Sequence, residues 1–315
     1  MFAHLCRVCA FHAWGAPPRT PGRAGRDCRS VYNGAGALAL MLLLTIVRPG
    51  AAEEIETEHL FGFTIGGDIG AKGEKEVESA TTTRTGKGSG SYFALAQQLE
   101  AKNTLTASFR IAAAAVFAYH DIGGVPDFDD RGSGGFQGVS VEAAFRLIER
   151  DRAPFGLSVF VEPRWNRIDD VTGERVESYG STLTLAADKE VVAGKLFAAV
   201  NVLYDPEATR IAATDVWMRQ STLGVSAALA LQVKPGIFLG GEVRALTFYD
   251  GLAFGGFAGR GLFAGPSLYA KLSEHWWMSL AWNVQIAGHV ADRPSDLDLV
   301  NFERHQAKLR FGYHF

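Results

Sequence analysis

No stretch of this 315-residue chain stays apolar for the ~20 residues a helix needs to cross a bilayer. A helical membrane protein is therefore excluded. The longest apolar run, Ala37 to Val47, has arginines before it and the small residues Pro49-Gly50-Ala51-Ala52 after it. Those are the parts of a secretory signal peptide, and cleavage is expected after Ala52. Cysteine is nearly as scarce. Cys6, Cys9 and Cys28 all precede the apolar run, and the Cys6/Cys9 pair lacks the second pair or the histidines of a metal site. Residues 1–52 thus read as an export segment behind an over-called N-terminal extension, and residues 53–315 as one domain that disulfides do not stabilise. Basic charge is short as well. The first 52 residues hold six arginines and one aspartate, leaving 25 basic and 33 acidic residues in 53–315, a net charge of −8. Nucleic-acid binding rests on neutralising phosphates with Lys and Arg, so that role is excluded.

What the chain has in quantity is alternation with a period of two. From residue 59 onward apolar side chains recur at every second position, the pattern of strands with one apolar and one mixed face. Phe155, Leu157, Val159, Val161, Pro163 and Trp165 fall on one side of a segment whose other side carries Gly156, Ser158, Phe160, Glu162, Arg164 and Asn166. Twelve such segments are expected, at 60–72, 91–100, 104–120, 137–148, 155–167, 176–187, 195–205, 217–233, 237–249, 261–272, 276–288 and 303–315. About 22 residues per strand and connection leave room for membrane-spanning strands of roughly 9 to 11. The second segment is the weakest, because Gln97 interrupts its apolar side.

Connections after even-numbered segments are short, and those after odd-numbered ones are longer and rich in Gly, Asp, Thr and Ser. That asymmetry, with both ends of the domain on the short-turn side, predicts an all-β fold: a single up-and-down antiparallel transmembrane barrel with short periplasmic turns and longer extracellular loops. Two aromatic belts fit the same picture. Tyr119, Trp165, Tyr179, Tyr204, Trp217 and Tyr249 mark one rim, and Phe61, Phe63, Phe155, Trp276, Tyr313 and Phe315 the other. A soluble sandwich or lipocalin-like barrel would have to turn the apolar face inward and leave the belts without a cause. The first segment should pair with the last to close the barrel, with Gly62, Gly66, Gly67, Gly70 and Gly312 permitting the coiling.

The chain resembles bacterial outer-membrane β-barrel proteins of the porin-like superfamily, through its export segment, alternating strands and a last strand reading Leu309, Phe311, Tyr313, Phe315. The resemblance implies residence among outer-membrane lipid and lipopolysaccharide of a Gram-negative bacterium, and recognition of that ending by the barrel-assembly machinery.

Parity places Asp68, Arg110, Glu142, Arg146, Glu162, Arg164, Glu242, Arg244, Lys271, Lys308 and Arg310 on the lumen wall, seven basic and four acidic. Two readings follow. Either the lumen is a water-filled passive path for small polar or anionic solutes, or Glu162 with Arg164, Glu242 with Arg244 and Glu142 with Arg146 form ion-paired ladders that close it. A lipid hydrolase is a third, remoter reading. No histidine has a serine two positions on; His120 could at most approach Ser140 across strands, without an orienting group. No catalytic residue, cofactor or metal ligand set is therefore expected. The glycine-rich stretch Gly86 to Ser91 lacks the flanking strand and helix of a phosphate cradle. The clusters Asp127, Asp129, Asp130 and Asp292, Asp296, Asp298 lack the spacing of a calcium loop and read as solvated.

Overall fold

The structure is a computed structural model that describes residues 55–315; the segment expected to direct export and the three cysteines lie outside the described residues. Twelve antiparallel strands close into one barrel, each bonded to its neighbours in sequence and β1 to β12. The strands are β1 (Lys75–Thr85), β2 (Ser91–Thr106), β3 (Phe109–Gly123), β4 (Arg131–Ile148), β5 (Gly156–Ile168), β6 (Arg175–Val192), β7 (Leu196–Ile211), β8 (Val216–Lys234), β9 (Ile237–Asp250), β10 (Gly256–Lys271), β11 (Trp276–Val290) and β12 (His305–His314). No helix is among the described residues long and apolar enough to cross a membrane.

The alternation sorts side chains as the sequence predicts. Val139, Val141, Leu185, Val202, Val225, Leu229, Val243 and Leu280 are among the large apolar residues exposed on the outside, while Arg110, Glu242, Asn283, Gln285 and Arg310 are buried within. A water-soluble barrel would show the reverse. An outer band of exposed aliphatic residues around a charged interior is the surface of a barrel solvated by acyl chains. Of the aromatic residues at the far rim, Tyr119, Tyr179 and Trp217 are exposed, as is Trp276 at the rim that carries the chain ends.

Two expectations fail. Residues 60–72 form no strand, and the true β1 lies within the segment taken for a loop. Its register with β12 runs from Glu76 opposite His314 to Thr85 opposite His305, so the barrel closes on the expected last strand but a different first one. Phe61 and Phe63 accordingly belong to no belt. Phe61 is wholly buried, inside the barrel. The far-rim connections are also shorter than expected, because β4, β7 and β10 extend well into the segments read as loops; the connection 291–304 remains long.

What residues 55–74 do instead organises the lumen. They enter the barrel at the rim shared by the start of β1 and the end of β12 and cross its interior without regular secondary structure. Leu60 and Phe61 pack into a pocket of Phe197, Ala199, Ala228, Ala230 and Phe238, and Ile69 into one of Ala144, Phe160 and Ala186. Small inward-facing alanines on the wall make the room. Gly62 is required by the same crowding, since a Cβ there would overlap the Ala281 side chain. Gly67 is likewise close to Asp188, so two of the glycines expected to coil the sheet instead allow a close approach of this inner segment to the wall.

Candidate functional site in the barrel lumen

An irregular chain inside a barrel must find partners for its backbone groups among side chains, because the strands have used their own in the sheet. The wall supplies them nearly all the way round. Glu242 on β9 accepts from the Phe63 and Thr64 N–H groups, each at 2.9 Å. Ser226 on β8 receives the Thr64 hydroxyl at 3.0 Å, and Asn201 on β7 bonds both backbone groups of Ile65. Ser158 on β5 then donates to Gly67 O, Arg146 on β4 to Gly70 O and Thr104 on β2 to Ile69 O. Arg310 on β12 reaches the carbonyls of His59 and Phe61 at 3.2 and 3.1 Å.

Charge reinforces these anchors. Glu58 of the inner segment is 2.9 Å from Lys102 and also pairs with Arg110. Burial alone would raise its carboxyl, but the Arg110 guanidinium and the Lys102 ammonium outweigh it and hold the group well below the usual carboxylate range. Arg244 lies 3.8 Å from the centre of the Phe63 ring. At the segment's start, Thr57 bonds Asp68 and Asp188, and Arg150 bridges the same two aspartates.

Three of the spaces left among the described residues bear on the lumen. A central cavity of about 260 Å3 is lined by Glu58, Phe63 and Ile65 of the inner segment and by charged wall residues including Glu162 and Lys308. A second, of about 200 Å3 towards the far rim, shares Gln98 and Glu162 with it. The third, a vestibule of about 580 Å3, opens at the rim of the chain ends beside Ile55, Glu56 and Glu74. The inner segment is the partition between vestibule and central cavity, since Glu56 faces one and Glu58 the other.

Among the lumen residues read from parity, Arg110, Glu142, Glu162, Arg244, Lys308 and Arg310 line the central cavity and Arg164 the outer one. Glu242 and Arg146 hold the inner segment, and Lys271 sits at the vestibule. Asp68 is not on the wall; it belongs to the inner segment. The expected ladders do not form, because other partners are nearer. Glu142 pairs with Arg110, Arg164 with Asp205 and Glu207, and Glu242 with backbone N–H groups and Asn283. The positive excess also disappears. Glu58, Glu78, Glu100, Glu142 and Glu162 face Lys102, Arg110, Arg244, Lys308 and Arg310 across the central cavity. Sequence reasoning missed Glu58 because it precedes the first expected segment, and Glu78 because it falls between the first two, where β1 in fact lies.

The far rim is drawn inward by loops. Gln285 bonds both the N–H and the carbonyl of Asp298, which is fully buried in the 291–304 connection. Asp298 is thus structural and not a solvated acid. Lys87, from the glycine-rich stretch, donates to the carbonyls of Val300 and Phe302 and pairs with Glu303 at 3.3 Å. Arg84 reaches Asp170 in the 169–174 connection at 2.9 Å. His120 does not meet Ser140: Ser133 lies across from it, Ser140 lies across from Ala114, and its Nε2 faces the Asp170 carbonyl. Leu309 and Phe311 on β12 lie on the outer face, opposite Thr81 and Ser79; Tyr313 stacks edge-on with Trp276, and Phe315 follows the strand.

No curated protein sequence matches the chain. Among solved structures, the COG4313 outer membrane channel from Pseudomonas putida F1 is similar at a TM-score of 0.55 and 13% identity, over 79% of this chain and 98% of that one. The NanC porin has a TM-score of 0.43 at 9% identity, over 76% and 98%. The translocator domain of the autotransporter NalP from Neisseria meningitidis has 0.44 at 14%, over 79% and 91%. The first of these likenesses supports a common barrel fold. Residues 53–315 match the model of a family of unknown function, DUF6662, and the chain belongs to that family.

Proposed function

We propose that this protein is an outer-membrane channel for small polar solutes whose passage is controlled by its own inner segment, residues 55–74. The observation that carries the reading is the unfilled, charged interior beyond the segment, where two cavities share Gln98 and Glu162 in their walls. A barrel built only as a scaffold gains nothing from keeping ionised groups around empty space, since each charge costs desolvation. The balanced lining favours selection by size and polarity over selection for anions. In this placement the rim of the chain ends faces the periplasm, and the strand ending in Leu309, Phe311, Tyr313 and Phe315 is what the assembly machinery reads. The outer aliphatic band meets lipid and lipopolysaccharide.

A second reading, a closed surface barrel, is favoured by the anchoring of the inner segment to every strand from β1 to β9 and to β12. Planar-bilayer recording of the refolded protein separates the two. A channel gives discrete small steps that grow when residues 55–70 are deleted. Silence from both forms, with the barrels shown to be folded, would leave the closed barrel standing.

A further inference from the structure

The two ends of the described chain meet at the vestibule, and they bring histidines with them. His59 comes from the inner segment, Glu74 from its last position, Glu76 from the start of β1, and His314 from the end of β12. Donor atoms of His59, Glu76 and His314 all lie within 4.8 Å of one another, as do those of Glu56, Glu74 and His314. His59 Nε2 is 3.2 Å from Glu76 Oε2, and His314 Nδ1 is 2.9 Å from Glu74 Oε1. Ligands held at zinc distances in a tetrahedron stand roughly 3.3 Å apart. The His59 and Glu76 donors are therefore already near the separation of two ligands on one ion.

Hydrogen bonding leaves this cluster incomplete. His59 is 2% exposed, stacked on Trp277 at 3.8 Å, and its Nδ1 has no hydrogen-bond partner. Both ring nitrogens face acid, Nε2 towards Glu76 and Glu58 and Nδ1 towards Glu78 at 3.8 Å. A neutral imidazole has a single N–H, so on one side a lone pair confronts a carboxylate. Glu56 Oε1 is also buried and unpartnered. The Lys102 ammonium, 3.5 Å from Glu76, is shared with Glu58, Glu78 and Glu100.

We propose that this cluster binds one divalent transition-metal ion of the zinc class, with His59, Glu76 and His314 as ligands and the fourth position open to water. Paired imidazole and carboxylate donors suit that class better than they suit the harder magnesium or calcium ions. The ion enters from the vestibule, whose wall includes Glu56, Glu74 and His314. Once bound, it ties the inner segment to both strands of the closing seam. The site does not depend on what the lumen carries.

The test is titration of the tag-free full chain, refolded in detergent, with Co2+ alone. One equivalent should bind with the visible absorption of a tetrahedral N/O site, Zn2+ should displace it, and either ion should raise the unfolding temperature. The double variant His59→Ala, His314→Ala should lose affinity by roughly 100-fold while heat-modifiable gel mobility shows an intact barrel. Glu76→Gln, nearly the same shape, should weaken binding in the same way. No Co2+ absorption by the unaltered protein, or undiminished binding by the folded variants, overturns the proposal.

Discussion

Asn201 holds Ile65 by both backbone groups: its Oδ1 accepts from the Ile65 N–H and its Nδ2 donates to the Ile65 carbonyl, each at 2.8 Å. A side-chain amide here makes the two bonds that a neighbouring strand would have made. Leucine at this position has similar size and can make neither. Asn201→Leu is expected to cost about 1 to 3 kcal/mol, because both Ile65 groups lose their partner in a place water reaches poorly. The loss should fall on the inner segment and not on the wall. Faster tryptic cleavage at Lys72, with unchanged barrel mobility on a gel, is the expected signature. Equal cleavage rates would show that the segment is held elsewhere.

Gly62 offers a sharper way to displace the segment. A side chain there meets Ala281 on one side and the Glu242 carboxylate on the other, and the same carboxylate bonds the Phe63 and Thr64 N–H groups. Gly62→Val therefore forces the segment away from the anchor that holds it. Larger single-channel steps than those of the unaltered protein are expected, with the strands undisturbed. If the steps are unchanged, the segment does not restrict the path.

Eleven of the twelve strands were legible in the sequence because lipid outside and charge inside enforce a period of two on every wall residue. β1 was not, and its neighbour shows why. The outward side of β1 carries Val77 and then Ser79, Thr81 and Thr83, so a single apolar residue is all the signal it offers. Two of these hydroxyls are satisfied within the sheet: Thr81 donates to Gln97 Oε1 at 2.6 Å, and Gln97 Nε2 donates to Ser79 at 3.0 Å. The glutamine that seemed to spoil β2 is thus the partner that lets a polar strand face lipid. Residues 60–72 misled for the opposite reason. Leu60, Phe61 and Ile69 are apolar because they fill pockets inside the barrel, and a sequence shows that a side chain is buried but not on which side of a wall. The histidines at the vestibule were invisible for want of topology, since only closure of the barrel brings His59 beside His314.

The outer face predicts its own test. Leu309 lies in the middle of β12, across from Leu280 and Thr81, at the depth where a charge is furthest from either interface. Leu309→Arg should destabilise the folded barrel in lipid by about 2 to 4 kcal/mol. Urea unfolding in bilayers checks this, with Phe315→Arg, beyond the end of the strand, expected to cost much less. A soluble protein with the same barrel would respond to neither change, since both side chains would then face water.

At the far rim, acid should release a loop only when it is strong. Asp170 lies in the 169–174 connection. Burial pushes its carboxyl upward, but the Arg84 guanidinium beside it prevails and holds it below the usual carboxylate range. A carboxyl whose value is lower in the folded than in the unfolded chain stabilises the fold above the unfolded value, about 3.9 for aspartate. That contribution is lost as the pH falls through the folded value. The protection factors of residues 169–174, exchange rates corrected for their intrinsic pH dependence, should accordingly be the same at pH 7 and pH 5 and fall only below pH ~3.9. Arg84→Ala removes the cation, so the loop should exchange faster already at pH 7. A loop that loosens between pH 7 and pH 5 in the unaltered protein is held by something other than this pair, and His120, whose ring faces the Asp170 carbonyl, would be the group to change next.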